Sequence, residues 1–192
     1  MSHKKFRYYK IYKPYGVLSQ FTDRDGRKTL KDIFKFPPNV YPVGRLDFDS
    51  EGLLLLTDDK PLTDFLLNPV NMHEREYYAQ VEGAPGEDDL NKFISGVIIH
   101  GRNTLPAKAN IIDAPVLPKR IPPIRVRRNI PNTWVSLTLI EGRHRQVRRM
   151  TAAIGYPTLR LVRIRIKNIL LADLKSGDVR ELEPEEISGL KE

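Results

Sequence analysis

Apolar and polar residues alternate along this chain in short blocks, and most of the blocks read as strands. FRYYKIY, residues 6–12, is an aromatic-rich extended block, and KPYGV then predicts a turn at Pro14 and Gly16. Thr29 is placed to cap a short helix over LKDIF that stops before Pro37 and Pro38. VYPVGRL predicts extended chain, and GLLLLT, residues 52–57, a short buried strand. A short helix over 61–68 ends at Pro69, and EYYAQVEG gives a further strand. Residues 87–95 form a helix with an acidic start and Leu90, Phe93 and Ile94 on one face. AKANIID and WVSLTLI are strands, and 144–154 is a helix ending at Gly155 with Pro157 beyond it. LRLVRIRIK alternates apolar with basic residues, which predicts one packed face and one positive face. DVRELEPEEI reads as a short strand and an exposed acidic tail. Strands outnumber helices without strict βα alternation. That pattern predicts an α+β fold with a mixed, mainly antiparallel sheet flanked by helices.

The 192 residues suffice for one large domain or two small lobes sharing a core. No apolar run reaches the roughly 20 residues of a membrane span, and MSHKKFRYYK lacks a signal-peptide core. With no cysteine, disulfides, iron–sulfur clusters and cysteine–zinc sites are excluded. The four histidines share no metal-ligand spacing. The expectation is a soluble cytoplasmic protein, monomeric by default, without membrane, metal or cofactor.

Charge changes the picture through its distribution. Between Ala114 and Ala172 thirteen basic residues face one acid, Glu141, so that segment is +12 and the rest of the chain −4, within an overall +8. Eleven of the thirteen are arginine, which makes bidentate phosphate contacts and stacks on bases. Residues 115–131 hold five prolines among five basic residues, a long basic loop that includes Arg125, Arg127 and Arg128. Nucleic acid is the favoured partner, and a solvated basic face is the bland alternative.

Three stretches carry candidate chemistry. In GRLDFDSEG, Gly44 and Gly52 bracket the acids, and Asp47 follows Leu46 at the lip of the core. Taken alone, Asp47 reads equally well as a loop acid or a cap, and Asp49, Ser50 and Glu51 read as ordinary turn residues. In REYYAQV, Tyr77, Ala79 and Val81 share one strand face, so Tyr77 points inward, either as core or to stack on a base. In EGRHRQVRRM, Val147, Met150, Thr151 and Ile154 form the apolar stripe of a helix, with Arg148 at its edge. Arg145 and Arg149 fall on the opposite side, where an external anion or plain solvent would receive them. A core-edge arginine calls for a carboxylate, so Arg148 is paired with Asp47 as a hypothesis. GxxxxGK[ST], GxGxxG and the zinc-deaminase signature are all absent.

GRLDFDSEGLLLLT, REYYAQV and EGRHRQVRRM, in this order and at these separations, resemble the RsuA-type pseudouridine synthases. KPYGVLSQFTD and LRLVRIRI extend the likeness over nearly the whole chain. QFTDRDGRKTL, LPAKA and IPPIR are similar to the E-type subgroup, which acts on large-subunit ribosomal RNA. The resemblance implies a sheet in two lobes with the active-site cleft between them, the boundary near residue 68. It implies no cofactor and no metal, and Asp47 as the essential catalytic residue. It also implies Arg148 as the arginine paired with Asp47, Tyr77 as the ring that stacks on the target base, and Arg45 as the filler of the space left by a flipped base. Ribosomal RNA would be the partner, with phosphates held by the 119–128 loop and by the strand bearing Arg160, Arg163 and Arg165. With five residues ahead of the first strand, the small N-terminal RNA-binding domain common in the family is expected to be missing. Competing expectations are a target in small-subunit ribosomal RNA or transfer RNA, and a non-catalytic RNA-binding or ribosome-assembly protein. A paired-carboxylate glycoside hydrolase lacks a second placed acid.

Overall fold

A computed structural model describes residues 5–125 and 127–192. In chain order its elements are β1 (Tyr8–Lys13), β2 (Tyr41–Pro42), β3 (Glu51–Thr57), α1 (Lys60–Leu67), β4 (Arg75–Glu82), α2 (Glu87–Ser95), β5 (Ile98–Ile99), β6 (Arg102–Asn103), β7 (Lys108–Ile112), β8 (Asn132–Leu139), α3 (Gln146–Ala153), β9 (Thr158–Ile166), β10 (Ile169–Leu170), β11 (Val179–Glu181) and α4 (Pro184–Lys191). Nine of these strands join in one sheet along the path β11-β1-β3-β9-β4-β8-β7, with β2 added to β3 and β10 to β9. β5 and β6 form a separate hairpin. Every pairing in the large sheet is antiparallel except β3 with β9. The fold is α+β, with a mixed, mainly antiparallel sheet.

The leucine run of β3 does not alternate because both of its faces are covered. Leu53 and Leu55 pack with Tyr8, Tyr12, Leu62, Leu66 and Leu190, which brings α1 and α4 onto one side. Leu54 and Leu56 pack with Tyr9, Ile11, Leu30, Val40 and Leu46 on the other. A second core unites α2, β4, β7, β8 and α3 around Ala79, Phe93, Leu137 and Met150. The two halves meet where β3 runs parallel to β9 for two residues, Glu51 opposite Val162 and Gly52 opposite Arg163. Gly52 makes that seam possible. Its φ is +103°, and a Cβ there would stand 2.3 Å from the Arg163 carbonyl oxygen, so no other residue lets the strands approach so closely.

Local chemistry explains most boundaries. Asp59 accepts from Leu62 N at 3.1 Å and caps α1. Glu87, Asp88 and Asp89 complement the N-terminal end of α2. Three expectations are corrected. LKDIF makes only a single 3-10 turn at Leu30–Asp32, capped by the Asp32 carboxylate, which accepts from Thr29 N at 2.8 Å and Thr29 Oγ1 at 2.9 Å. The C-terminal acidic stretch is not an exposed tail: it forms α4, with Leu190 buried and Glu186 paired to Lys10 of β1. The helix expected from residue 144 starts at Gln146, because Arg145 is held left-handed at φ +54° and ψ +34°. β10 and the β5–β6 hairpin were not expected, since pieces two residues long carry no measurable period.

Candidate active site

A cleft of about 610 Å³ opens at the joint between the two halves. Its walls come from the loop Val43–Asp47 and Ser50, the end of α1, the first residues of β4, the 139–147 segment, and Leu161, Arg163 and Ile166 of β9. Asp47 lies in the loop that feeds β3, and Ser50 N donates to the Asp47 carbonyl at 3.0 Å to close a turn. That loop is pinned from four directions. Ser19 Oγ donates to the Leu46 carbonyl at 2.8 Å and accepts from Leu46 N at 3.0 Å. Gly16 N donates to the Phe48 carbonyl at 2.8 Å. Arg148 Nη2 donates to the Asp49 carbonyl at 2.6 Å, and Arg145 grips the Asp49 carboxylate with two bonds of 2.9 and 2.8 Å. A loop held so firmly places the Asp47 carboxylate before any ligand arrives.

The expected pairing of Arg148 with Asp47 is not found. Arg148 faces Asp49, with Nε 3.4 Å from the carboxylate but not aligned for a hydrogen bond. Among the described residues the cation paired with Asp47 is Arg145, at 3.6 Å. The helical wheel misplaced Arg145 because this residue precedes α3 in a left-handed conformation, so helical periodicity does not govern its direction. Asp49, expected as an ordinary turn acid, is the hub of the site. Burial pushes its carboxyl up, and the bonds and charge of Arg145 and Arg148 outweigh burial, holding it below the usual carboxylate range. Burial lowers the pKa of Arg148 despite the pull of Asp49. Glu141 accepts from Arg143 Nε, Gln146 Nε2 and Leu105 N, which fixes the turn that delivers Arg145.

Tyr77 is half-buried and lines the same cleft as Asp47. Arg163 also lines it, with its guanidinium 6.0 Å from the Tyr77 ring centre. Arg163 donates Nε to the Leu53 carbonyl at 2.7 Å, while its buried Nη2 has no partner. Ser50 Oγ in the same wall is likewise unpartnered. Buried donors left open at a cleft are groups that a polar ligand would complete. Arg45 stands exposed at the rim. Arg75 lines the cleft too, braced by the carbonyls of Leu66 and His73. The strand-face argument that found Tyr77 reaches Arg75 two residues earlier on the same face. Lys13 of β1 is buried beneath the site and donates to the Val17 and Pro14 carbonyls at 2.8 and 2.9 Å. Burial lowers its pKa to about 7, against the raising pull of Glu51, Asp49 and Asp47. Among the described residues, no three histidine, aspartate or glutamate side chains converge as a metal would require.

Not every predicted arginine belongs to this cleft. The positive face expected for β9 is absent. Arg160 is buried and bound to Glu51 by bonds of 2.9 and 2.8 Å, and Arg165 is held by Glu76 at 3.0 Å and Glu74 at 2.9 Å. Of the strand's three arginines only Arg163 turns to the cleft. Arg125, Arg127 and Arg128 are exposed on the 115–131 arm, outside the cleft wall, and Arg127 is 3.4 Å from Glu82. The arm is anchored at its start, where Arg160 donates to the Pro118 carbonyl and the Arg120 guanidinium sits 4.3 Å from the Tyr15 ring centre. No helix among the described residues is long and apolar enough to cross a membrane.

A recessed carboxylate beside arginines, an apolar floor and an aromatic ring suit a planar base carried on an anionic backbone. Comparison with known proteins points the same way. Residues 7–153 match the family model described as RNA pseudouridylate synthase. The chain is 54% identical over 171 residues to ribosomal large subunit pseudouridine synthase E of Vibrio parahaemolyticus, covering 89% of this chain and 71% of that protein. It is 50% identical to the protein of the same name from Xanthomonas campestris, covering 88% of this chain and 91% of the relative. A solved structure described as the crystal structure of a pseudouridylate synthase superposes with a TM-score of 0.81 at 29% identity, over 99% of this chain and 76% of the other. The α+β fold with its cleft, the three motifs around it and these likenesses agree: the chain belongs to the RNA pseudouridylate synthase family and is an RNA pseudouridine synthase.

Proposed function

We propose that this enzyme isomerises one uridine of large-subunit ribosomal RNA and that Asp47 is its catalytic carboxylate. The observation that carries the reading is Asp47 itself, set on a loop pinned at four points and sharing one cleft with Tyr77. The names of the similar Vibrio and Xanthomonas proteins support the RNA class. In the reaction the bond from ribose C1′ to uracil N1 breaks and a bond from C1′ to C5 forms. The C5 proton leaves and N1 gains one, so atoms balance without a second substrate. A carboxylate can serve here as nucleophile or as base. Asp47 is recessed, so the uridine must leave its stack to reach it, at about a few kcal/mol. Tyr77 takes the face of the extruded base, worth about 1–3 kcal/mol. The open Nη2 of Arg163 and Oγ of Ser50 meet polar atoms of the nucleotide. Arg145 and Arg148 act through Asp49 to hold the loop, and Arg45 fills the gap in the RNA. Arg125, Arg127 and Arg128 hold phosphates beyond the cleft.

Pseudouridine mapping of ribosomal RNA from cells lacking this protein tests the reading. One large-subunit site is expected to vanish, to return with wild type, and to stay absent with Asp47→Asn. Unchanged large-subunit maps would overturn the target, and a site restored by Asp47→Asn would overturn the role of Asp47.

A further inference from the structure

A second cavity, of about 850 Å³, lies away from the cleft and is lined by Phe21, Phe34, Phe36, Tyr41, Lys31 and Lys35, among others. Its rings stand edge to face: Phe21 is 6.1 Å from Tyr41 and 5.7 Å from Phe36, and Phe34 is 4.9 Å from Phe36. Behind them Tyr9 is buried, 5.6 Å from Phe36, and fixes the cluster to β1. Tyr41 is nevertheless 60% exposed and Phe34 41% exposed. Folding alone gives no reason to leave two large rings of one cluster in water.

Charge narrows the occupant. The acids of this segment are engaged close to home. Asp23 and Asp25 pair with Arg27, and Asp32 accepts from Thr29. Among the described residues Lys31 and Lys35 form no ion pair. Exposed rings beside unpaired ammonium groups match an unpaired nucleotide, whose base stacks and whose phosphate meets the cation. The position fits as well. One short stretch of chain borders both cavities, with Tyr41 and Pro42 lining this one and Val43 to Asp47 lining the cleft. An RNA strand bound at the cleft and extending along this stretch would reach the aromatic pocket. Ser19, which pins Leu46, lines the pocket too.

We propose that this pocket holds a second, unpaired nucleotide of the RNA substrate, with its base against Tyr41 and Phe34 and its phosphate on Lys31 and Lys35. The proposal rests on the reading that the cleft works on large-subunit ribosomal RNA. The test uses unmodified large-subunit ribosomal RNA, the full-length enzyme and two variants, Tyr41→Ala and the double variant Lys31→Ala with Lys35→Ala. Each is first checked for wild-type thermal unfolding, and the lysine pair, being exposed at its charged ends, serves if the ring variant unfolds. Each is expected to raise the Kd for that RNA roughly tenfold. The single-turnover rate at saturating enzyme is expected to stay within about twofold, because neither change touches the reacting atoms. The lysine variant also lowers the dependence of log Kd on log salt by about one, and Tyr41→Ala leaves it unchanged. Wild-type Kd in both folded variants, while neutralising Arg125, Arg127 and Arg128 still weakens binding, would overturn the pocket and leave the enzyme reading standing. Failure of wild type itself to modify that RNA would overturn both.

Discussion

Arg160, Arg163 and Arg165 of β9 and Arg125, Arg127 and Arg128 of the arm look alike in sequence, being three arginines within a few residues of an otherwise apolar stretch. In the structure they differ completely. Among the β9 arginines Arg160 and Arg163 are buried and Arg165 is half-buried: Arg160 is neutralised by Glu51, Arg165 by Glu74 and Glu76, and Arg163 donates to the Leu53 carbonyl beside the cleft. The arm arginines are exposed, and among the described residues only Arg127 has an acid within reach. The decisive quantity is therefore the location of the compensating acid, not the density of positive charge. For Arg160 that acid lies 109 residues away in the chain, beyond the reach of any local pattern. An arginine bias signals RNA only where no carboxylate from elsewhere in the fold has claimed it.

The sharpest way to break this comparison is to remove a β9 partner. Glu51→Gln leaves Arg160 buried and uncompensated, a loss of about 3–5 kcal/mol in unfolding free energy by denaturant titration. The triple arm variant is expected to unfold at the wild-type denaturant concentration. Comparable losses in both would erase the distinction. Asp49→Ala comes next. It removes both bonds of Arg145 and the carboxylate facing Arg148, whose bond to the residue-49 carbonyl remains, and so loosens the catalytic loop; the single-turnover rate falls about 10²-fold with RNA binding little changed. A rate near wild type would return Asp49 to the ordinary turn acid that its sequence suggests.

Neutralising Arg125, Arg127 and Arg128 is expected to reduce the slope of log Kd against log salt by about two rather than three, since Glu82 already engages Arg127. An unchanged slope would place the arm off the RNA. The smallest effect concerns Lys13, whose folded pKa of about 7 lies below its ordinary value. Below pH 7 the folded protein carries the full cost of a buried ammonium. As pH rises above 7 the folded state releases this proton first, so the unfolded state binds more protons and stability increases. Wild type is expected to gain about 1–2 kcal/mol relative to Lys13→Met between pH 7 and 9. Parallel stability curves would contradict the assignment.

The sequence showed most strands, because both the two-residue period and the leucine run survive into the sheet. Local loop and strand rules put Asp47 at the lip of the core and Tyr77 on the inward strand face, while the roles expected of them came from the family resemblance alone. The sequence did not show which arginine meets which acid. Arg145 escaped because one left-handed residue ahead of α3 turns its side chain off the helical wheel. Asp49 escaped because a turn acid and an ion-pair hub have the same sequence signature until Arg145 arrives from 96 residues away. Gly52 was legible as a place for tight backbone geometry but not as the seam between halves, since the Arg163 backbone it makes room for is far away in the chain. α4 escaped because its buried partners lie in β1.

The most direct test of the central claim follows the C5 hydrogen. Large-subunit ribosomal RNA labelled with tritium at uracil C5 is incubated with purified wild type or Asp47→Asn, and tritium released to water is counted. Forming the C1′–C5 bond expels that label. Wild type is expected to release one equivalent per site. Asp47→Asn is expected to bind the RNA with similar affinity and to release it at least about 10³-fold more slowly. Release by Asp47→Asn at a rate near wild type would contradict the claim that Asp47 performs the reaction.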